Sequence, residues 1–141
     1  MTTSPIPQGR YTPATRAGML VFTAGMTPRD QGTLIMRGKV SVKQPIQSYR
    51  EVVELAASNA LRAAQDMLAQ TERIDRVVNM TVYVAGEEGF EAHSRIADLA
   101  SSYLFEQLGE SGVGSRTAIG VYSLPGNAPV EISLVIAIAE Q

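Results

Sequence analysis

Hydrophobic positions along the chain change period several times, and each change marks an element. Met19 to Ala24, MLVFTA, is apolar and rich in strand formers, and Gly25 and then Pro28 close it; the run predicts a buried strand ending in a turn. Tyr11 to Thr15 is a weaker strand candidate ahead of it, and a short pairing over Leu34 to Arg37 is flanked by Gly32 and Gly38. From Ser48 the period becomes helical. Val53, Ala56, Ala60, Leu61, Ala64, Met67 and Leu68 recur at steps of three and four, and Ser48 with Glu51 has the form of an S-x-x-E capping box. Alanine dominates this stripe, so the helix axis can lie close to what it covers, most simply a sheet.

Alternation returns over Arg76 to Val84, with Val78, Met80, Val82 and Val84 predicted on one face and Val77, Asn79, Thr81 and Tyr83 on the other. Phe90 to Leu108 reads as a second helix, its face made by Ile96, Leu99, Ala100, Tyr103 and Leu104, with Gly109 as the stop. Arg116 to Tyr122 and Val130 to Ala139 then flank the turn-rich segment SLPGNAP, a pattern that predicts an antiparallel hairpin. In the last strand Val130, Ile132, Leu134, Ile136 and Ile138 form one apolar face. The other carries Val135, Ala137 and Ala139, more apolar surface than a solvent-facing sheet needs. This order, strands, helix, strand, helix and two strands, predicts one domain over residues 1–141. Two helices shield only one side of a sheet, so the second side calls for copies of the chain, as a trimer or a dimer.

Composition narrows the chemistry. With 45% hydrophobic and 18% charged residues the chain is an ordinary packed globule, and twelve Lys+Arg against fourteen Asp+Glu give a net charge of −2, which argues against a nucleic-acid partner. Absence of cysteine removes thiol chemistry and suits a reducing, cytoplasmic setting. The segment Met1 to Gly9 lacks an apolar leader core, and no apolar run approaches the roughly 18 residues of a membrane helix, so an unexported protein without membrane attachment is expected. One histidine, His93, leaves little from which to build a metal site, and none is expected; beside Glu91, Ser94 and Arg95 it reads as a solvated surface residue. No P-loop, G-x-S-x-G elbow or strand-following G-x-G-x-x-G is present, so no cofactor is expected either.

Three side chains remain as candidates. Glu131 sits inside the most hydrophobic strand, where a carboxylate persists only if it is paired, hydrogen-bonded, at a solvent-reaching end, or used. Arg116 opens a largely apolar strand; it is either a surface arginine or a planar fork gripping a carboxylate. Tyr11 is a packed edge aromatic or a phenol at a cleft.

The segment Ser115 to Ile132, SRTAIGVYSLPGNAPVEI, resembles the C-terminal motif of the RidA/YjgF family, and YTPATRAGMLVFTAGMTPR from Tyr11 to Arg29 is similar to its N-terminal pattern of tyrosine, apolar strand and Ser-Gly-x-x-Pro. The resemblance covers nearly the whole chain. It implies a chorismate-mutase-like α+β fold, a mixed sheet with two helices on one face, assembled as a homotrimer with ligand clefts between subunits. It further implies cofactor-independent hydrolysis of small enamine or imine carboxylic acids to 2-oxo acids and ammonia. Carried over, Arg116 looks like the arginine that binds the substrate carboxylate, Glu131 the glutamate that holds the attacking water, Tyr11 the cleft tyrosine and Gly25 the glycine at the ligand. Departures are specific. Ala24 replaces the family serine, Ala118 stands where cysteine is frequent, and Asp98 corresponds to the family asparagine with the register shifted by the longer Gly112 to Ser115 segment. Two alternatives stand beside hydrolysis: a non-catalytic ligand-binding trimer, favoured by Ala24 and Ala118, and a ribonuclease or translation inhibitor, disfavoured by the charge.

Overall fold

The computed structural model describes residues 3–141. Its main sheet has five strands in the order β1-β2-β7-β5-β6, where β1 is Ala14–Ala17, β2 Leu20–Thr23, β5 Glu72–Val84, β6 Ser115–Gly120 and β7 Val130–Glu140. A two-residue ribbon, β3 Arg29–Asp30 with β4 Thr33–Leu34, stands apart. Helices α1, Arg50–Gln65, and α2, His93–Leu108, cover one face. The chain is α+β with a mixed sheet.

The alanine stripe does what its side chains allow. Ala56, Ala57 and Ala60 are fully closed, and α1 lies against β7 and α2 with these small side chains interleaved among Val53 and Leu61. Asn59, buried on the same helix, donates its amide to the carbonyls of Thr27 and Arg29 at 3.2 and 2.9 Å and so ties α1 to the chain leaving β2. Gly109, at φ +69°, ends α2 as expected. The alternation of β7 also holds: Val130, Ile132, Leu134, Ile136 and Ile138 are all buried under the helices.

Four expectations are corrected. β6 and β7 do not form a hairpin. β6 runs parallel to β5, connected through α2, while β7 runs antiparallel along the other side of β5. The SLPGNAP segment crosses the end of β5 instead, with the Val121 amide donating to the Val84 carbonyl at 3.0 Å and the Ala85 amide to the Pro129 carbonyl at 2.9 Å. The capping box does not form, because a 3-10 turn, Ile46–Tyr49, precedes α1 and the Ser48 hydroxyl turns back to the Pro45 carbonyl at 2.6 Å. In β5 an irregularity between Val77 and Asn79 takes Val78 out of register, and Val77 joins Met80, Val82 and Val84 on the buried face. His93 is half-buried rather than solvated: its ring stands edge-on to Phe90 at 5.2 Å between centroids and covers Gly120. Strand limits also move, the first pairing beginning at Ala14 and the short one at Arg29.

The longer segment before β6 is seated by glycines. A Cβ at Gly112 would strike the carbonyl of Leu104, and one at Gly114 the carbonyl of Val77, so the loop packs its backbone directly on α2 and β5.

Candidate functional site

Cross-strand register sorts the candidate residues into two groups. Arg116 lies opposite Met80, which in turn lies opposite the buried Leu134, so its side chain rises on the helix-covered face. Ala118, opposite Val82, follows it on that face. Glu131 lies opposite Tyr83 and projects from the other face, which no helix or strand among the described residues covers. Arg116 and Glu131 therefore stand on opposite sides of the sheet.

The first group gathers at α2. Arg116 Nη1 donates to Ser101 Oγ at 2.9 Å and pairs with Asp98 Oδ1 at 2.7 Å, while Nη2 donates to the Ser94 carbonyl at 3.0 Å and to Ser94 Oγ at 2.7 Å. Ser94, Asp98 and Ser101 follow one another at steps of four and three residues, a polar stripe on one helix face. The two serines were missed in the sequence because the helix was read for its apolar stripe alone. The polar stripe beside it is the signal that identifies them.

The second group surrounds the end of β2. Ala24 holds the chain in place with an amide hydrogen bond to the Pro13 carbonyl at 2.8 Å. At Gly25 a Cβ would collide with the carboxylate of Glu131, so the glycine makes room for Glu131 itself. Gly25 and Tyr11 line one small cavity of about 30 Å³ with Thr27, Arg29 and Asn59, closed over by the segment from Thr3 to Gln8. That is space for about one water. The Tyr11 hydroxyl accepts the backbone N–H of Gln8 at 3.0 Å, which anchors the same segment.

Electrostatically the groups differ. Glu131 has no ion-pair partner among the described residues, and burial pushes its carboxyl above the usual carboxylate range. The Asp98 carboxylate is held beside a guanidinium. Far from both groups, Arg16 grips Glu72 through two bonds of 2.6 and 2.7 Å, and with the Ala69 amide holds that carboxyl well down, at about 2. Among the described residues no three His, Cys, Asp or Glu side chains converge as a metal site would need, and no helix is long and apolar enough to cross a membrane.

With this geometry in hand, comparison with known proteins places the chain. The family model described as Endoribonuclease L-PSP matches residues 1–139, and the chain belongs to that family, the YjgF/RidA family. Protein TCP17 of Trypanosoma cruzi is 26% identical over 131 residues, 92% of this chain and 82% of TCP17. Among solved structures, Atu1372 from Agrobacterium tumefaciens, described as of unknown function, is 31% identical with a TM-score of 0.82, covering 95% of this chain and 86% of that one. E. coli TdcF, solved with bound serine, superposes with a TM-score of 0.68 at 19% identity over 97% of this chain and 94% of its own. At that identity the likeness is one of fold.

Proposed function

We propose that the protein is a cofactor-independent hydrolase that converts a small enamine or imine carboxylic acid to a 2-oxo acid and ammonia, working in the cytoplasm as a homotrimer. The observation that carries this reading is the isolated Glu131 carboxylate. It is half-buried, unpaired among the described residues, raised in pKa and pressed against a glycine that leaves it room. Burial makes such a group a stronger base than an exposed carboxylate, suited to taking a proton from water.

Two features support assembly with other copies of the chain. Leu20, Phe22 and Ile119 are 38, 45 and 46% exposed on or beside the uncovered sheet face, a patch suited to other copies of the chain. Arg116 and Glu131 project from opposite faces, so a ligand meeting both would lie between two copies. One would lend Asp98, Arg116 and Ala118, the other Tyr11, Ala24, Gly25 and Glu131. There the Arg116 fork binds the substrate carboxylate and fixes the plane of the C=N bond. Water held by Glu131 gives up a proton as its oxygen bonds to the imine carbon. The nitrogen takes up protons, the C–N bond breaks with its electron pair leaving on ammonia, and the carbonyl of the 2-oxo acid remains. The serine bound by TdcF is a small ligand with a carboxylate, in keeping with this substrate class.

A second reading, a non-catalytic ligand-binding trimer, draws on Ala24 and Ala118, which leave both half-sites less polar. The family description points to a third, RNA cleavage. The discriminating assay generates imino acids in place with an amino-acid oxidase, traps them with semicarbazide and compares the protein with Arg116→Ala. Hydrolysis predicts protein-dependent loss of the trapped imine that the variant abolishes. No loss across several acids would leave binding alone, and cleavage of RNA by the protein but not by Glu131→Gln would favour the third reading.

A further inference from the structure

The guanidinium of Arg116 is not waiting empty for a carboxylate. Nη1 donates to Ser101 Oγ and lies 2.7 Å from Asp98 Oδ1, and Nη2 donates to the carbonyl and the hydroxyl of Ser94. Among the described residues its hydrogen bonds all go to the two serines, Asp98 adds a charge contact, and Nε has no partner. The pair has an inside and an outside: the Arg116 side chain is 23% exposed and that of Asp98 64%. Ser101 holds the guanidinium from the part-buried side and Ser94 from the rim of α2, whereas the more exposed carboxylate of Asp98 rests on it by a charge contact.

A site so arranged is electrically neutral. A simple monoanion approaching it meets an attracting guanidinium and a repelling carboxylate at nearly the same distance, and gains little. A zwitterion meets a complementary pair of charges. Because an exposed ion pair holds its partners weakly, Asp98 can turn from Nη1 toward a ligand cation and leave Nη1 for the ligand carboxylate, with Ser94 and Ser101 still holding the arginine.

We propose that Asp98 is a specificity-determining residue, which makes the Arg116 site select zwitterionic ligands, carboxylate on the guanidinium and protonated nitrogen on the aspartate. The proposal rests on the reading of Arg116 as the carboxylate anchor and names the protonation state of its ligand. For an imine substrate Asp98 favours the iminium form, whose carbon accepts water more readily than the neutral imine's.

Binding of L-alanine and of L-lactate, equal skeletons that carry an ammonium in one case and a hydroxyl in the other, tests this without any turnover. NMR titration of the full chain is expected to give a preference for alanine of roughly tenfold, and Asp98→Asn is expected to erase it by weakening alanine and strengthening lactate. An unchanged ratio in Asp98→Asn overturns the proposal, as does a wild-type protein that prefers lactate or binds neither acid. Arg116→Ala separates the layers: unimpaired binding of both acids by that variant removes the anchor and the proposal with it. A ratio that shifts as expected in a protein that consumes no imine leaves the role of Asp98 standing and hydrolysis refuted.

Discussion

Along β7 the side chains of Val130, Ile132, Leu134, Ile136 and Ile138 are shut away by the two helices of their own chain, whereas Glu131, Ser133, Val135, Ala137 and Ala139 on the reverse stay half-open. One strand, with one backbone and one set of hydrogen bonds, therefore presents two environments. The covered face is uniformly branched and aliphatic, as close packing against helices requires. The uncovered face is smaller, mixed with hydroxyls, and carries the one carboxylate in this strand's interior. A face that had only to resist water would not keep a glutamate, unpaired among the described residues, on the same side as Val135 and Phe22; one that closes against other copies around a polar cleft has use for each.

The contrast is sharpest when Glu131 is changed. Glu131→Gln is expected to lower imine hydrolysis by about 10²–10⁴-fold, the range for loss of a general base. The wild-type rate is expected to fall as pH drops through the raised Glu131 pKa, with its acid limb above the ordinary carboxylate range. Stability should move the other way. An acid whose folded pKa is raised costs the fold most above that pKa, where it is ionised, so Glu131→Gln should melt no lower than wild type at neutral pH. A variant that melts lower while keeping its rate would make Glu131 a structural residue.

On the covered face Ile136→Ala is expected to cost about 2–5 kcal/mol in chemical denaturation through lost burial and the cavity left behind. On the uncovered face Phe22→Asp should act differently, shifting the mass in light scattering from that of the proposed trimer to a monomer while the separated chain keeps its helical circular dichroism. Equal loss of structure in both variants would mean that the faces are not distinct. The smallest effect belongs to the sheet's far end, where Arg16 holds Glu72. A carboxyl depressed to about 2 stabilises the fold above its ordinary value near 4.5, and that contribution is lost as pH falls toward 2. Acid titrations of wild type and Glu72→Gln should therefore differ across that window and run parallel above it.

Much of the covered face was legible along the chain, for a physical reason. A two-residue period in β7 and a three-to-four-residue period in α1 and α2 are local records of which side meets the core, and burial followed them at Ile132, Ile136, Ala56 and Ala60. Local signals failed where the outcome depended on partners distant in sequence. Turn residues in SLPGNAP announce that the chain reverses, but they hold no record that β5 already stands between the strands they join. Ser48 and Glu51 have the spacing of a cap, yet the chain enters α1 through a turn closed on Pro45. Val78 alternates correctly on paper, and the irregularity that displaces it exists only in the pairing with β7.

The candidate residues divide along the same line. The types and order of Tyr11, Gly25, Arg116 and Glu131 were enough to carry the family likeness, because motif spacing is a property of sequence; Asp98 lay outside both motifs. Which of them share a space was decided by the sheet. Register sent Arg116 toward α2 and Glu131 to the opposite face, since in a strand each residue takes the side its cross-strand neighbours have, and those neighbours come from elsewhere in the chain. The ion pair between Arg116 and Asp98 is likewise a tertiary fact: eighteen positions separate the two in sequence, and only the packing of α2 across β6 brings a carboxylate to the guanidinium.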